Sequence, residues 1–186
     1  MPLTQLDSRA ALVVIDLQKS VVGLPAVLPV IEIIERAARL ARAFRQRGLP
    51  VVLVNVTGRA SGRTDAGLRK FQFPPDWTEL VPELDQQPGD LIVTKQRVGA
   101  FTATSLDQDL RQRGVTQVFL AGISTSAGVE STGRHAYDLG YNVVFVVDAM
   151  TDRDAATHSH SVGNVFPRFG ETAIADDVLK LLSFRP

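Results

Sequence analysis

The sequence predicts an α/β domain doubly wound around a mostly parallel sheet. Three observations carry that expectation. Short, uninterrupted apolar runs recur along the chain, helically spaced segments separate them, and the length of 186 residues suits one domain with one core. Uninterrupted runs mark strands buried on both faces, the habit of parallel sheets. Strand–helix alternation then gives right-handed crossovers with helices on both sides.

The elements follow in order. Ala11 to Ile15 is the first apolar run and stops at Asp16. Ile31, Ile34, Ala37, Ala38, Ala41 and Phe44 fall at helical spacing, and Gly48-Leu49-Pro50 stops that helix. Val51 to Val54 ends near Asn55, and Leu91 to Val93 ends near Lys95. A short helix from Leu106 to Arg113 is stopped by Gly114. Val118 to Ala121 reaches Gly122, and a helix is expected from Gly128 to Leu139, stopped by Gly140. Val143 to Val147 ends at Asp148. A helix over roughly Ala155 to Val165, a weak strand at Thr172 to Ile174 and a last helix from Asp176 to Leu182 complete the chain. Two stretches fit no regular element: Thr57 to Gly67, rich in Gly, Ser and Thr, and Phe71 to Pro88, which holds four prolines and the only tryptophan, Trp77. Long irregular loops in a compact domain are often functional. With no repeat, linker or low-complexity tract, residues 1–186 read as a single domain.

Composition narrows the classes. Lys+Arg and Asp+Glu both number 20, so no basic surplus points to nucleic acid. No apolar run approaches the ~20 residues of a membrane span. The start, Met1-Pro2-Leu3-Thr4-Gln5, lacks a basic segment and an apolar core, so no signal peptide is expected and a cytoplasmic location is. The chain has no cysteine, which excludes disulfides, thiolate metal sites and thiol nucleophiles together.

Ligands of open α/β sheets bind beyond the carboxyl ends of the strands. The residues closing the apolar runs are therefore the first candidates: Asp16, Asn55, Lys95, the segment Gly122 to Gly128, and Asp148. Asp16 and Lys95 stand where an ionised group is costly unless paired, so convergence on one crevice would satisfy both and allow proton transfer. Asp148 reads better as a turn or cap residue. The three histidines, His135, His158 and His160, have no spacing that suits a metal, and neither metal nor cofactor is expected. Phosphate-loop and dinucleotide fingerprints are missing, and so is a G-x-S-x-G elbow. Ser124, Thr125 and Ser126 remain formal nucleophiles, although loop hydroxyls more often cap helices or bind ligands.

Four segments in this order resemble the isochorismatase-like hydrolase superfamily. Val13-Val14-Ile15-Asp16-Leu17-Gln18 is similar to its first strand with the catalytic aspartate. Lys95-Gln96-Arg97-Val98-Gly99-Ala100-Phe101-Thr102-Ala103-Thr104 is similar to the segment carrying its catalytic lysine. Gly122-Ile123-Ser124-Thr125-Ser126-Ala127-Gly128-Val129-Glu130-Ser131-Thr132 resembles its nucleophile segment, and Ala136 to Val143 with Asp148-Ala149 completes the set. The resemblance implies a three-layer α/β/α domain with a six-stranded, mostly parallel sheet. It also implies a cis peptide at Ile123-Ser124, a small-molecule substrate, and a homo-oligomer, dimer or tetramer. Its implied substrate contacts are Gln18, Arg97, Phe101, Ile123, Ser124, Thr125 and Ala127.

The chain departs from that pattern. Lys19-Ser20-Val21 follows Gln18 where Asn-Asp-Phe is common, and the histidine metal set of nicotinamidases has no match in Thr57 to Gly67. Gly128 stands where the family usually carries its nucleophilic cysteine. Amide hydrolysis in the family passes through a thioester, so the amidase reading is nearly removed. Members that cleave isochorismate can carry glycine here, because a vinyl ether is hydrolysed by protonation and needs no protein nucleophile. On that reading Asp16 is the general acid, Lys95 orients it, and Gly128 gives the enolpyruvyl group room. Arg97, Arg63 and Arg69 are candidates for substrate carboxylates, and Phe101 and Trp77 for walling the ring. Two influences oppose each other at Asp16: the ammonium lowers its pKa and burial raises it. Two alternatives stay open: a thiol-independent hydrolase of another small carboxylated or cyclic substrate, and an inactive homologue that only binds small molecules.

Overall fold

The computed structural model describes residues 3–65 and 74–183. Arg69 lies outside them. Six strands form one sheet: β1 (Ala10–Ile15), β2 (Val51–Val56), β3 (Leu91–Lys95), β4 (Gln117–Ile123), β5 (Asn142–Thr151) and β6 (Glu171–Ala173). The helices are α1 (Lys19–Val22), α2 (Val30–Gln46), α3 (Leu106–Gln112), α4 (Glu130–Asp138), α5 (Ala155–His160) and α6 (Ala175–Ser183). The order across the sheet is β3-β2-β1-β4-β5-β6, and every neighbouring pair is parallel. The expected mostly parallel sheet is therefore parallel throughout.

Side-chain alternation along the buried strands builds two cores. Ala10, Leu12 and Val14 of β1 face one side with Leu53 and Phe119, where α2 and α6 contribute Ile33, Leu40, Phe44 and Val178. Ala11, Val13 and Ile15 face the other side with Val52 and Leu120, where α3 and α4 contribute Leu106, Leu110 and Ala136. The strands β1, β2 and β4 and the first part of β5 are apolar on both faces because each face is roofed by helices, whereas β3 exposes Ile92 and Thr94 and β6 carries Glu171. This is the three-layer arrangement the apolar runs imply.

Three expectations change. The run Val143 to Val147 does not end its strand at Asp148. The pairing of β5 with β4 is interrupted between Leu120 and Gly122, then resumes as Gly122↔Met150 and Ile123↔Thr151. Asp148 sits inside the irregularity. Its Oδ1 accepts from Ala175 N at the start of α6, and Arg36 of α2 lies 3.5 Å from Oδ2. It is structural, as the sequence reading favours, but the strand runs on to Thr151. Likewise the helix expected from Gly128 begins earlier, as a wide π-type turn over Thr125–Val129 that leads into α4. The helix expected to Val165 becomes α5 followed by a second wide turn, Ser161–Val165.

Gly122 explains how β4 can run so close to β1. Its φ is +116°, and a Cβ there would lie 2.1 Å from the Ile15 carbonyl oxygen. Only glycine fits.

Candidate active site

The strand order reverses direction between β1 and β4, so the crevice at their carboxyl ends is the topological switch point. Asp16 leaves β1 there in a left-handed conformation, φ 52°, while its N–H still donates to Val54 O. Lys95 closes β3, two strands away, and its long side chain crosses over β2. Its Nζ lies 2.8 Å from Asp16 Oδ2 and donates also to Arg97 O at 3.3 Å. Both side chains are buried, 2% and 8% exposed.

Burial pushes the Asp16 carboxyl from its ordinary 3.8 up to about 6, against the pull of the Lys95 ammonium and its hydrogen bond. Desolvation therefore outweighs the ion pair. The carboxyl is also unevenly held. Oδ2 carries the lysine, while Oδ1 is buried with no donor near it. A proton placed on Oδ1 disturbs no existing contact, which suits a group that holds its proton into mildly acidic conditions.

The peptide Ile123-Ser124 at the end of β4 is cis. From it the chain enters the Thr125–Val129 turn, which carries Gly128 past the carboxyl of Asp16. A Cβ on residue 128 would lie 3.4 Å from Asp16 Oδ2 and 2.9 Å from Ile15 Cγ2, closer than packed carbons approach. The space beside the acid is thus shaped for a residue without a side chain.

Asp152, just beyond β5, anchors this turn. Its Oδ2 accepts from Ser126 N and its Oδ1 from Arg153 N, both at 2.7 Å. The same stretch holds the opposite wall: Val27 N donates to Asp152 O, and Leu28 N to Thr151 Oγ1. The cleft between them measures ≈ 270 Å³. Val21, Leu24, Pro25 and Ala26 form an apolar wall, and Arg59, Arg97 and Arg153 stand at its rim with the buried Asp16–Lys95 pair inside. Its cations outnumber its acids, Asp16 and Asp152, and each acid already has partners. The cleft therefore favours an anionic small molecule with one apolar face.

Of the residues singled out in the sequence, Asp16, Lys95, Arg97, Ile123, Ser124, Ala127 and Gly128 converge on this cleft. Three others do not line it. Gln18 is fully buried, and its amide donates to Val56 O and Trp77 O and accepts from Val56 N, so it pins the loop after β1 to β2. Thr125 is fully buried, its Oγ1 2.9 Å from His158 Nδ1. Phe101 is packed beside His135 and Tyr141 in the core under α3 and α4 rather than walling a ring. Arg63 and Trp77 are also outside the lining, and Arg59 occupies the rim instead. Sequence reading missed Asp152, Arg153 and the Leu24-Pro25-Ala26 wall. The one usable signal for Asp152 is that Ala149-Met150-Thr151 prolongs the β5 run beyond Asp148. Among the described residues no cluster of three His, Cys, Asp or Glu side chains is arranged to hold a metal ion, and no helix is long and apolar enough to cross a membrane.

A doubly wound parallel sheet with an aspartate–lysine pair and a cis-peptide turn at its switch point defines an isochorismatase-like hydrolase. The family model for the isochorismatase domain matches residues 10–177. This chain belongs to the isochorismatase family. It is 36% identical over 179 residues to the uncharacterized isochorismatase family protein YwoC of Bacillus subtilis, covering 92% of this chain and 93% of that protein. It is 33% identical over 207 residues to the ureidoacrylate amidohydrolase RutB of Pseudomonas syringae, covering 95% and 84%. The solved structure of an isochorismatase family protein from Burkholderia thailandensis superposes with a TM-score of 0.93 at 40% identity, covering 97% of this chain and 98% of that one.

Proposed function

We propose that this hydrolase works by proton transfer rather than through a covalent intermediate, and that it cleaves an enol ether of the isochorismate type to pyruvate and a dihydrodiol. The observation that carries the reading is the carboxyl of Asp16. It is buried, holds its proton up to about pH 6, and lies beside a glycine in a chain without a single cysteine. An acid without a thiol beside it suits a substrate that needs only an acid.

Asp16 delivers its proton to the terminal methylene carbon of the enolpyruvyl group. The resulting oxocarbenium ion lies against the new aspartate carboxylate, and Lys95 holds that carboxylate in place. Water adds to the cationic carbon, the proton it loses restores Asp16, and the hemiketal collapses with cleavage of the carbon–oxygen bond. Gly128 leaves room for the enolpyruvyl group, and Arg59, Arg97 and Arg153 supply guanidinium forks for the substrate carboxylates. RutB is named for amide hydrolysis, and a thioester route to that reaction is closed to this chain, which has no cysteine. We extend the proposal to a homo-oligomeric, cytoplasmic enzyme, as the family resemblance implies.

Pyruvate release from isochorismate, coupled to lactate dehydrogenase, tests the reading. Turnover well above background that is lost in Asp16→Asn is the expected result. No turnover rules out the substrate class, and turnover that survives Asp16→Asn rules out the acid.

A further inference from the structure

The opposite end of the sheet carries a second concavity. It is a groove of ≈ 700 Å³ against the amino-terminal ends of β1 and β2 and the loops before β3 and β4, larger than the ≈ 270 Å³ catalytic cleft. Four arginines line it: Arg9 just ahead of β1, Arg45 and Arg47 at the end of α2, and Arg113 at the end of α3. One carboxylate, Asp90, lines it with them.

That carboxylate is already committed. Asp90 is 2% exposed and receives Arg45 Nε at 3.0 Å, Arg45 Nη2 at 2.7 Å and Gln87 N at 2.8 Å. Arg45 Nη1 remains buried without an acceptor. Arg9 and Arg113 form no ion pair among the described residues. Arg45 is held by Asp90 and Arg47 has contacts of its own, so Arg9 and Arg113 are the cations that the groove leaves without a carboxylate, in a chain whose totals balance at 20 of each sign. Helix C-termini attract cations, which accounts for Arg45, Arg47 and Arg113 lying at this end of the sheet. Helix dipoles do not explain Arg9, and the partial charge at a helix end does not neutralise a full guanidinium charge. Like charges gathered in a concavity repel, and a bound anion relieves that repulsion. Two glycines of the lining, Gly48 and Gly89, leave open space where a side chain would project. Guanidinium groups match the oxygens of a phosphate in pairs.

We propose that this groove is a second ligand site, built for a small phosphorylated molecule carrying at least two negative charges. It shares no residue with the catalytic cleft, so it stands or falls independently of the proposed reaction.

Isothermal titration of the full chain with pyrophosphate, in about 0.1 M salt to screen loose surface attraction, tests it. The expected result is saturable binding of one ligand per chain with Kd below about 1 mM. Arg9→Ala and Arg113→Ala should each weaken it about tenfold, and Arg97→Ala at the catalytic rim should not. Circular dichroism spectra of the variants should match the parent, since Arg9 and Arg113 are exposed. No saturable heat up to about 10 mM, or binding unchanged in the Arg9→Ala/Arg113→Ala double variant, overturns the site. Binding lost in Arg97→Ala instead assigns the anion to the catalytic cleft and also overturns it. A parallel titration with citrate separates phosphate from carboxylate recognition. Citrate binding as tightly, with the same arginine dependence, refutes the phosphate class.

Discussion

Raising the pH through 6 removes the proton that the proposed reaction needs. Burial holds the Asp16 carboxyl at about 6 in the free enzyme, although Lys95 sits 2.8 Å away. The pH dependence of kcat/KM reports the free enzyme, so it should be flat on the acidic side and bend near pH 6. Above the bend it should fall tenfold per unit. At about pH 7 roughly one enzyme molecule in ten still carries the proton, and at about pH 8 roughly one in a hundred. A bound substrate carboxylate raises the carboxyl further, so the bend in kcat should lie at higher pH than the bend in kcat/KM. The assay is initial-rate pyruvate release at steps from about pH 5 to 8, with the coupling enzyme in excess at every pH. A kcat/KM that rises with pH, or stays flat across that range, refutes the argument, because either outcome means that Asp16 acts ionised or not at all. The same shift has a stability signature. The folded state binds this proton more tightly than the unfolded chain does. The contribution is therefore complete below the unfolded value of 3.8 and lost as pH rises through about 6. Its size is about 3 kcal/mol. Denaturant midpoints of the parent should thus lose ground to those of Asp16→Asn between about pH 4 and 7, and parallel curves would show that the carboxyl is not shifted.

Other perturbations follow from the same geometry. Lys95→Ala strips the buried carboxyl of its counter-charge, so urea denaturation should show a loss that grows with pH, from about 1 kcal/mol near pH 5 to about 3–5 kcal/mol near pH 8. A loss independent of pH would mean that the pair is not the source. Gly128→Cys puts a Cβ 2.9 Å from Ile15 Cγ2, so it should cost about 1–3 kcal/mol and should not create amidase activity. Release of ammonia from ureidoacrylate by that variant would show that the turn still accommodates a thiol. Asp152→Ala removes the charge-assisted bond to the turn from Ser126 N and a second one from its neighbour Arg153 N, and should cost about 3 kcal/mol. It should lower kcat while leaving the bend near pH 6 in place. A displaced bend would mean that Asp152 acts on Asp16 directly.

The sheet was legible because parallel strands roofed on both faces must be apolar throughout, and such runs stand out in β1, β2, β4 and β5. Asp16 and Lys95 were legible for a related reason. Ligands gather at the carboxyl ends of these strands, and an ionised residue directly after an apolar run is conspicuous there. Gly128 was informative only through the resemblance, since a glycine after a strand has many local uses.

What the chain could not disclose locally is which charged residues meet. Asp16 and Lys95 lie 79 positions apart, and only the order β3-β2-β1 brings the ammonium over β2 to the carboxylate. Asp148 and Asp152 follow the same apolar run. An irregularity in the pairing of β5 with β4 directs the first toward α2 and α6 and the second to the Thr125–Val129 turn. Phe101 and Thr125 lie within the segments that build the site, yet packing turns both into the core. The sequence by itself therefore determined the strands, the layers and the candidate acid. Only the tertiary structure decided the company that acid keeps, because desolvation, ion pairing and the fit at Gly128 arise between residues far apart in the chain.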